Sequence, residues 1–279
     1  MKTPLISIML LLITYASYSQ NVADGIPLSK HDVKKLKIKQ RKTKKSKLKA
    51  IIAIAHMPQI KDSVYRAFDV NYNKKGQLED SVFFNSNGSE IKRKAFLYNR
   101  NLIVEAAFFK NLELISNYEY YHSRGKIIEA IKLNPDPTFN ETTKFTTIDN
   151  QIIQEEMDYN GALQRKTIYS YSNKQLGYLL KEKKCYNKSN ELIQKTNYHY
   201  DKSNHIVNYT IINLPNKAKK TVAYKYDTNN KLKEKTTYNN DNIIDNVSYH
   251  YNNSGYKDKE VHYPANGKKY YYEFYYQYY

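Results

Sequence analysis

The sequence predicts an all-β protein: an extended, curled antiparallel sheet of repeated β-hairpins, in two parts that meet near residues 134–150. Three observations predict it. A short turn unit recurs along most of the chain. Tyrosines before the turns alternate, as in Tyr198 and Tyr200, Tyr224 and Tyr226, or Tyr249 and Tyr251, so each pair shares a face of a strand. The rhythm breaks at Pro135 and Pro137, which cannot sit in a central strand.

The unit is clearest between Tyr224 and Gly255. It reads aromatic, Asn or Asp, two polar residues, Gly or Asn, any residue, then often Leu or Ile. In Asp227-Thr228-Asn229-Asn230 and Asn252-Asn253-Ser254-Gly255 the first residue is a side-chain acceptor suited to open a type I turn. The fourth enters the left-handed region cheaply. A type I turn followed by a left-handed residue is a hairpin loop with a G1 bulge, which sets two residues against one. Tyr226 then falls opposite Leu232, a cross-strand pair worth ~0.2–1 kcal/mol. Units start at Tyr72, Phe84, Tyr121, Tyr186, Tyr200, Tyr226, Tyr238, Tyr251 and Tyr263, and each has Gly or Asn four residues on. Six residues on, six of the nine are apolar, the exceptions being Glu90, Lys257 and Lys269.

In chain order, residues 1–19 have Lys2, an apolar run from Leu5 to Ile13, and Ser17 and Ser19, the layout of a cleaved secretory signal peptide. The run is too short to span a bilayer. The mature chain is expected to begin near Gln20. Residues 20–49 read as a basic flexible arm. Eleven Lys or Arg against the single Asp32 fall between 30 and 49, a large share of the net charge of +18. Such an arm suits contact with a polyanion or serves as a solvated linker. Residues 50–57, AIIAIAHM, suit a short buried strand or a capping turn of helix, and read as a terminal cap over the first repeat of a domain spanning 50–279. From about residue 60 the spacing of turns leaves strands of about eight residues, ~26 Å long at ~3.3 Å per residue. About sixteen such strands cannot lie flat, because open sheets beyond ~10 strands curl or split. A weaker break lies around Pro215. The chain closes on YYYEFYYQYY, which reads as an ordinary last strand stacked on the preceding one or, alternatively, as an aromatic edge that pairs with a partner or a second copy.

No catalytic constellation is visible. The seven histidines show no metal-ligand spacing, and no cofactor is expected. Glu155, Glu156 and Asp158 could be imagined as a glycosidase pair, but they read better as a solvated strand end. Cys185 has no partner in the chain, so there is no disulfide framework. Thirty tyrosines and no tryptophan suit a thin sheet, where a half-buried ring keeps its hydroxyl near water. Strands such as Lys231–Tyr238 place Lys on one face and Leu, Glu, Thr and Tyr on the other. Neither is a lipid-compatible band, so an outer-membrane barrel is not expected.

At YHYDKSN (198–204) and YKYDTNN (224–230) the unit resembles the YD repeats of RHS-type bacterial surface proteins, and it is similar to MORN-type repeats. Only these two units carry the full YxYD, and Asn often stands where the family has Gly. The resemblance implies a spiralling β-sheet and an exported, surface-associated setting. It brings no toxin domain. The expected function is therefore a non-enzymatic envelope or secreted protein that binds a glycan or other surface ligand. The alternative is a scaffold engaging proteins through a sheet edge or the basic arm. Expected partners are a surface polysaccharide or another envelope protein, not nucleic acid, and the chain is not expected to span a membrane after cleavage. The aromatic contact residues expected are Tyr224, Tyr226, Tyr249, Tyr251, Phe274 and Tyr276.

Overall fold

The computed structural model describes residues 41, 43–57, 63–148, 151–172, 179–265 and 267–279. The expected signal segment and most of the basic arm lie outside them. The strands are β1 (Leu48–Met57), β2 (Ser63–Tyr72), β3 (Leu78–Phe84), β4 (Glu90–Asn99), β5 (Leu102–Lys110) and β6 (Glu113–Ser123). They continue with β7 (Lys126–Leu133), β8 (Glu141–Ile148), β9 (Gln151–Tyr159), β10 (Ala162–Tyr171), β11 (Leu180–Asn187) and β12 (Leu192–Tyr200). The last are β13 (Ile206–Asn213), β14 (Lys219–Tyr226), β15 (Leu232–Asn239), β16 (Asn242–Tyr251), β17 (Lys257–Pro264) and β18 (Tyr270–Tyr278).

Each strand pairs antiparallel with the next, and β1 pairs with β18 as well as β2. The sheet of eighteen strands is therefore a closed up-and-down barrel. All-β antiparallel hairpins are as expected; the open, curled sheet is not. Accumulated twist is resolved by closure, which removes every edge. The two-part division is also corrected. The break near 134–150 is a short helical turn, Pro137–Phe139, capped by the Asp136 side chain on the Thr138 N–H, and β7 and β8 pair on either side of it.

Both chain ends take roles that alternation did not disclose. Residues 50–57 form a buried strand, one of the two forms expected, but they do not cap the repeats: they are most of β1, the strand that closes the ring. Ala53 sits between Phe68 of β2 and Phe274 of β18. The aromatic C-terminal strand is not an edge, since β17 and β1 flank it. The end of the basic arm is packed as well: Thr43 is fully buried in a helical turn and β1 begins at Leu48, 1% exposed.

Six of the nine units form the expected loop. At Gly76, Gly88, Asn190, Asn204, Asn230 and Gly255 the backbone has positive φ. The N–H of each donates to the carbonyl three residues earlier, at 2.8–3.1 Å. Asp227 shows the side-chain logic: its Oδ1 accepts from the N–H groups of Asn229 and Lys231. The bulge places Tyr226 opposite Leu232, and likewise Tyr72 opposite Leu78 and Tyr200 opposite Ile206. The units at Tyr121 and Tyr238 instead end in two-residue turns with positive φ at Arg124–Gly125 and Asn240–Asp241.

The two faces of the ring differ sharply. In β1, Ile51, Ala53 and Ala55 are fully buried, while the alternate Ile52, Ile54 and His56 are half-exposed. Cross-strand register carries the buried set around the ring through Val70, Phe96, Ala106, Tyr120, Phe145, Tyr169, Val222, Val247 and Phe274. This crowded face is the concave one, turned into the barrel. The opposite face carries charge: Glu129, Lys144, Glu156 and Lys166 stand side by side on four successive strands with alternating sign. Phase also differs from simple alternation. The bulge sends Leu232 inward with Lys235, whereas Glu234, Thr236 and Tyr238 face out.

Gly88 tests the loop. Its φ is +83° and a Cβ built there meets nothing within 4 Å, so a substitution reports backbone strain alone. Gly88→Val should destabilise by about 1–2 kcal/mol while Ser86→Val is nearly neutral. Equal urea midpoints for the two variants would contradict a left-handed requirement.

Candidate functional site

All six expected contact residues lie on the inner face, on alternate strands β14, β16 and β18. Tyr249 and Phe274 are buried, and the other four are half-buried. Tyr224, Tyr226 and Tyr251 pack around Leu232, Val247 and Tyr249.

Three of the six have their hydroxyls committed to the wall itself. Tyr226 Oη donates to the Ile206 carbonyl at 3.0 Å, Tyr251 to Leu232 at 2.8 Å and Tyr276 to Lys257 at 2.8 Å. Tyr200 and Tyr171 repeat the contact with Leu180 and Ile152, both at 2.9 Å. The cause is local. At this mouth the ladder between β13 and β14 ends at Asn208–Ala223, and the carbonyl of Ile206 lies beyond it. The phenol of the neighbouring strand fills the place a backbone N–H would have taken. The same relation holds at β15–β16 and β17–β18, whose ladders stop at Glu234–Ser248 and Lys259–Glu273. The result is a ladder of tyrosines inside one mouth. Burial pushes the Tyr226 phenol up to about 12 and those of Tyr251 and Tyr276 well above the usual range. These are bonded, neutral wall residues, and what they offer inward is ring surface.

Between β16 and β18 lies a charged cluster that the sequence did not disclose. Lys257, 3% exposed, occupies the position that is apolar in most other units. Its Nζ is 2.5 Å from Glu260 Oε2 and 3.9 Å from the centre of the Phe274 ring. The Glu260 carboxylate also meets His262 Nε2 at 2.8 Å, and His262 stacks on Tyr270 with centres 4.5 Å apart. Asp245 approaches the other imidazole nitrogen at 3.7 Å. Burial alone would raise the Glu260 carboxyl, but Lys257 and the His262 hydrogen bond together outweigh it and hold it at about 2. In a regular strand residues 257 and 260 would face opposite ways; the bulge after Gly255 brings them together.

A second inward cluster sits on β9–β11. Glu155 is buried and accepts a 2.6 Å hydrogen bond from Tyr169, whose ring lies under Lys183. Burial raises the Glu155 carboxyl. Glu156 is on the outer face, paired with Lys166 at 4.0 Å, as is Asp158 near Lys144 at 3.9 Å. The three acids therefore do not converge. Cys185 is buried on the inner face opposite Thr167 and Gln194. Among the described residues no group of three His, Cys, Asp or Glu side chains is placed to hold a metal ion.

No family model matches the chain, and no curated protein matches it. Among solved structures it is similar to a porin-like protein from Bacteroides uniformis, with a TM-score of 0.44 and 10% identity over 82% of this chain and 98% of that one. A porin-like protein from Bacteroides vulgatus gives 0.42 and 10% over 82% and 99%. The Photorhabdus luminescens Tc holotoxin pore gives 0.32 and 11%, covering 72% of this chain and 13% of that one. At these scores and identities the likeness bears neither on function nor on placement in a membrane.

The Glu260 pair makes acid stability a probe of the cluster. A carboxyl held at about 2 against an ordinary 4.5 stabilises the fold above pH 4.5, and that stability is lost as pH falls toward 2. Glu260→Gln should be less stable than wild type at neutral pH, and its thermal midpoint should change less between pH 4.5 and 2. Parallel curves for the two proteins would show that the cluster is not coupled to folding.

Proposed function

We propose that the protein is a non-enzymatic, exported envelope protein that holds a glycan or similar surface ligand against the inner wall of a barrel standing in water. The observation that carries this reading is the sidedness of the wall. A lipid-embedded barrel turns an apolar band outward and a polar lining inward. Here many rings line the inner wall, and the outward positions, although they include Leu97, Tyr121 and Tyr275, carry charges on strand after strand in place of a continuous apolar band, with Glu182 bonded to both Lys184 and Lys195 at 2.9 and 2.6 Å. Each Lys or Arg placed at a bilayer midplane costs about 2–4 kcal/mol, and the outer belt holds several. A barrel of this strand number is wider than its side chains fill, which leaves room for a ligand inside.

A pore in a bilayer is the competing reading, favoured by ring closure with eighteen strands. The scaffold reading loses its mechanism of strand addition, because the C-terminal strand is paired on both sides.

Two measurements separate these. The mature protein should be recovered from the native host without detergent and should bind a neutral or acidic polysaccharide with a change in tyrosine fluorescence. Tyr224→Ala should weaken that binding while Tyr275→Ala, on the outer face, leaves it unchanged. Recovery only in detergent, with conductance across planar bilayers, would overturn the proposal.

A further inference from the structure

The inner wall is not only aromatic; its charge is of one dominant sign, and we infer that its ligand is an anionic polysaccharide, one bearing carboxylates along its length. The inference rests on the inner-wall reading above and names the chemical class that wall accepts.

The inward acids have cations or hydroxyls at hand. Glu260 is held by Lys257 and His262, Glu155 accepts from Tyr169, and Glu141 meets Lys132 at 2.7 Å. Of four further inward lysines, Lys92, Lys220 and Lys235 have no acid opposite them in register, and Lys110 has one. Lys92 faces Phe83 on one side and Lys110 on the other. Lys220 faces Ile211 and Asn239, and Lys235 faces Tyr224 and Val247. Lys110 has Glu113 on β6 but Lys92 on β4. Like charges directly opposite one another are destabilising. On the outer face Lys184 and Lys195 stand opposite each other with Glu182 bonded to both; on the inner wall Lys92 and Lys110 have only Glu113, beside Lys110, in register.

Placement turns this surplus into a site. Lys92, Lys110 and Lys220 all lie at the mouth opposite the tyrosine ladder: Lys110 ends β5, while Lys92 and Lys220 lie just inside the starts of β4 and β14. In a ring of eighteen strands, β5 and β14 stand half a turn apart. The lysines therefore face one another across the opening. All three are on the inward face and yet exposed, so this mouth is open to solvent. A low-dielectric wall with one sign of charge concentrates oppositely charged ligands at such an entrance.

The rings favour a sugar over a nucleic acid. Single-stranded nucleic acid is held by aromatic platforms onto which bases stack. Here Tyr198, Tyr209 and Tyr224 lean on one another with centres 5.9 and 6.3 Å apart, forming a continuous wall in place of separate slots.

The test uses the full mature chain, so that the basic N-terminal arm is present in every sample. Binding of polygalacturonate, dextran and oligothymidylate is measured by calorimetry over a salt series, alongside Lys92→Gln/Lys220→Gln and an outer-face control, Lys144→Gln/Lys225→Gln. Melting curves establish that both variants are folded, as expected for exposed positions. Polygalacturonate should bind more tightly than dextran and weaken with salt. The inner double variant should lose about tenfold in affinity, the scale of one or two charge-assisted contacts, and the outer one should stay within about twofold. Equal loss in both variants would assign the binding to unspecific charge or to the arm. Dextran binding as tightly, with the inner variant unaffected, would leave the inner-wall reading standing and remove its anionic character. Tighter binding of oligothymidylate would replace the polysaccharide with nucleic acid. Failure of every glycan to bind would remove both this inference and the reading beneath it.

Discussion

A single backbone event, the left-handed residue that ends a hairpin turn, governs most of what the barrel does with its side chains. It allows a bulge, and the bulge resets which residues face inward. Because two residues oppose one, Leu232 points into the barrel with Lys235, three positions on, and Lys257 does so with Glu260. The same spacing recurs where Arg66 meets Asp69 across the irregularity in β2, and between Glu90 and Arg93 at 2.7 Å. Charge pairs three residues apart belong to helices in ordinary sequence reasoning. In this protein they belong to bulged strands.

The tyrosine ladder follows from the same geometry. Ladders between strands that are not joined at that mouth stop short of the last carbonyl. A tyrosine near the end of β10, β12, β14, β16 and β18 is the right length to supply the missing donor. It satisfies a buried acceptor, places a ring on the inner wall, and repeats with the two-strand period of the fold. One residue type thus serves hydrogen bonding and packing together at Tyr171, Tyr200, Tyr226, Tyr251 and Tyr276, where phenylalanine would leave the carbonyl without its donor.

Much of the local structure was legible in the sequence, and little of the global closure was. The Asx acceptor at Asp227, the left-handed Asn230 and the Tyr226–Leu232 pair could be read from residue type, because turn chemistry is short-range. The shared face of Tyr224, Tyr226, Tyr249 and Tyr251 followed from alternation within strands that have no bulge between those positions. Closure could not be read this way. It depends on β1 meeting β18, and AIIAIAHM carries no mark of the aromatic strand it joins. Lys257 was hidden for a different reason. As an exception to an apolar position it looked like a lapse in the repeat, and its partner Glu260 lay on the wrong face until the bulge was counted. Alternation also read the solvent-facing strand end at Glu155 wrongly, since Tyr169 buries that carboxylate from the neighbouring strand.

The ring is held shut by a strand from the start of the chain lying against the strand at its end, with Ile51 opposite Tyr276. Among the described residues every other strand pairing joins neighbours in sequence and can form as the chain emerges. The β1–β18 seam must wait for both ends. Until then the growing sheet has two raw borders, the free sides of β1 and β18, each a row of unpaired peptide groups. Assembly is thus a sequence of fast, local hairpins followed by one slow, long-range event whose loop-closure cost is set by the whole chain. Between those two stages the polypeptide is most vulnerable to aggregation, because both free borders can pair with another chain.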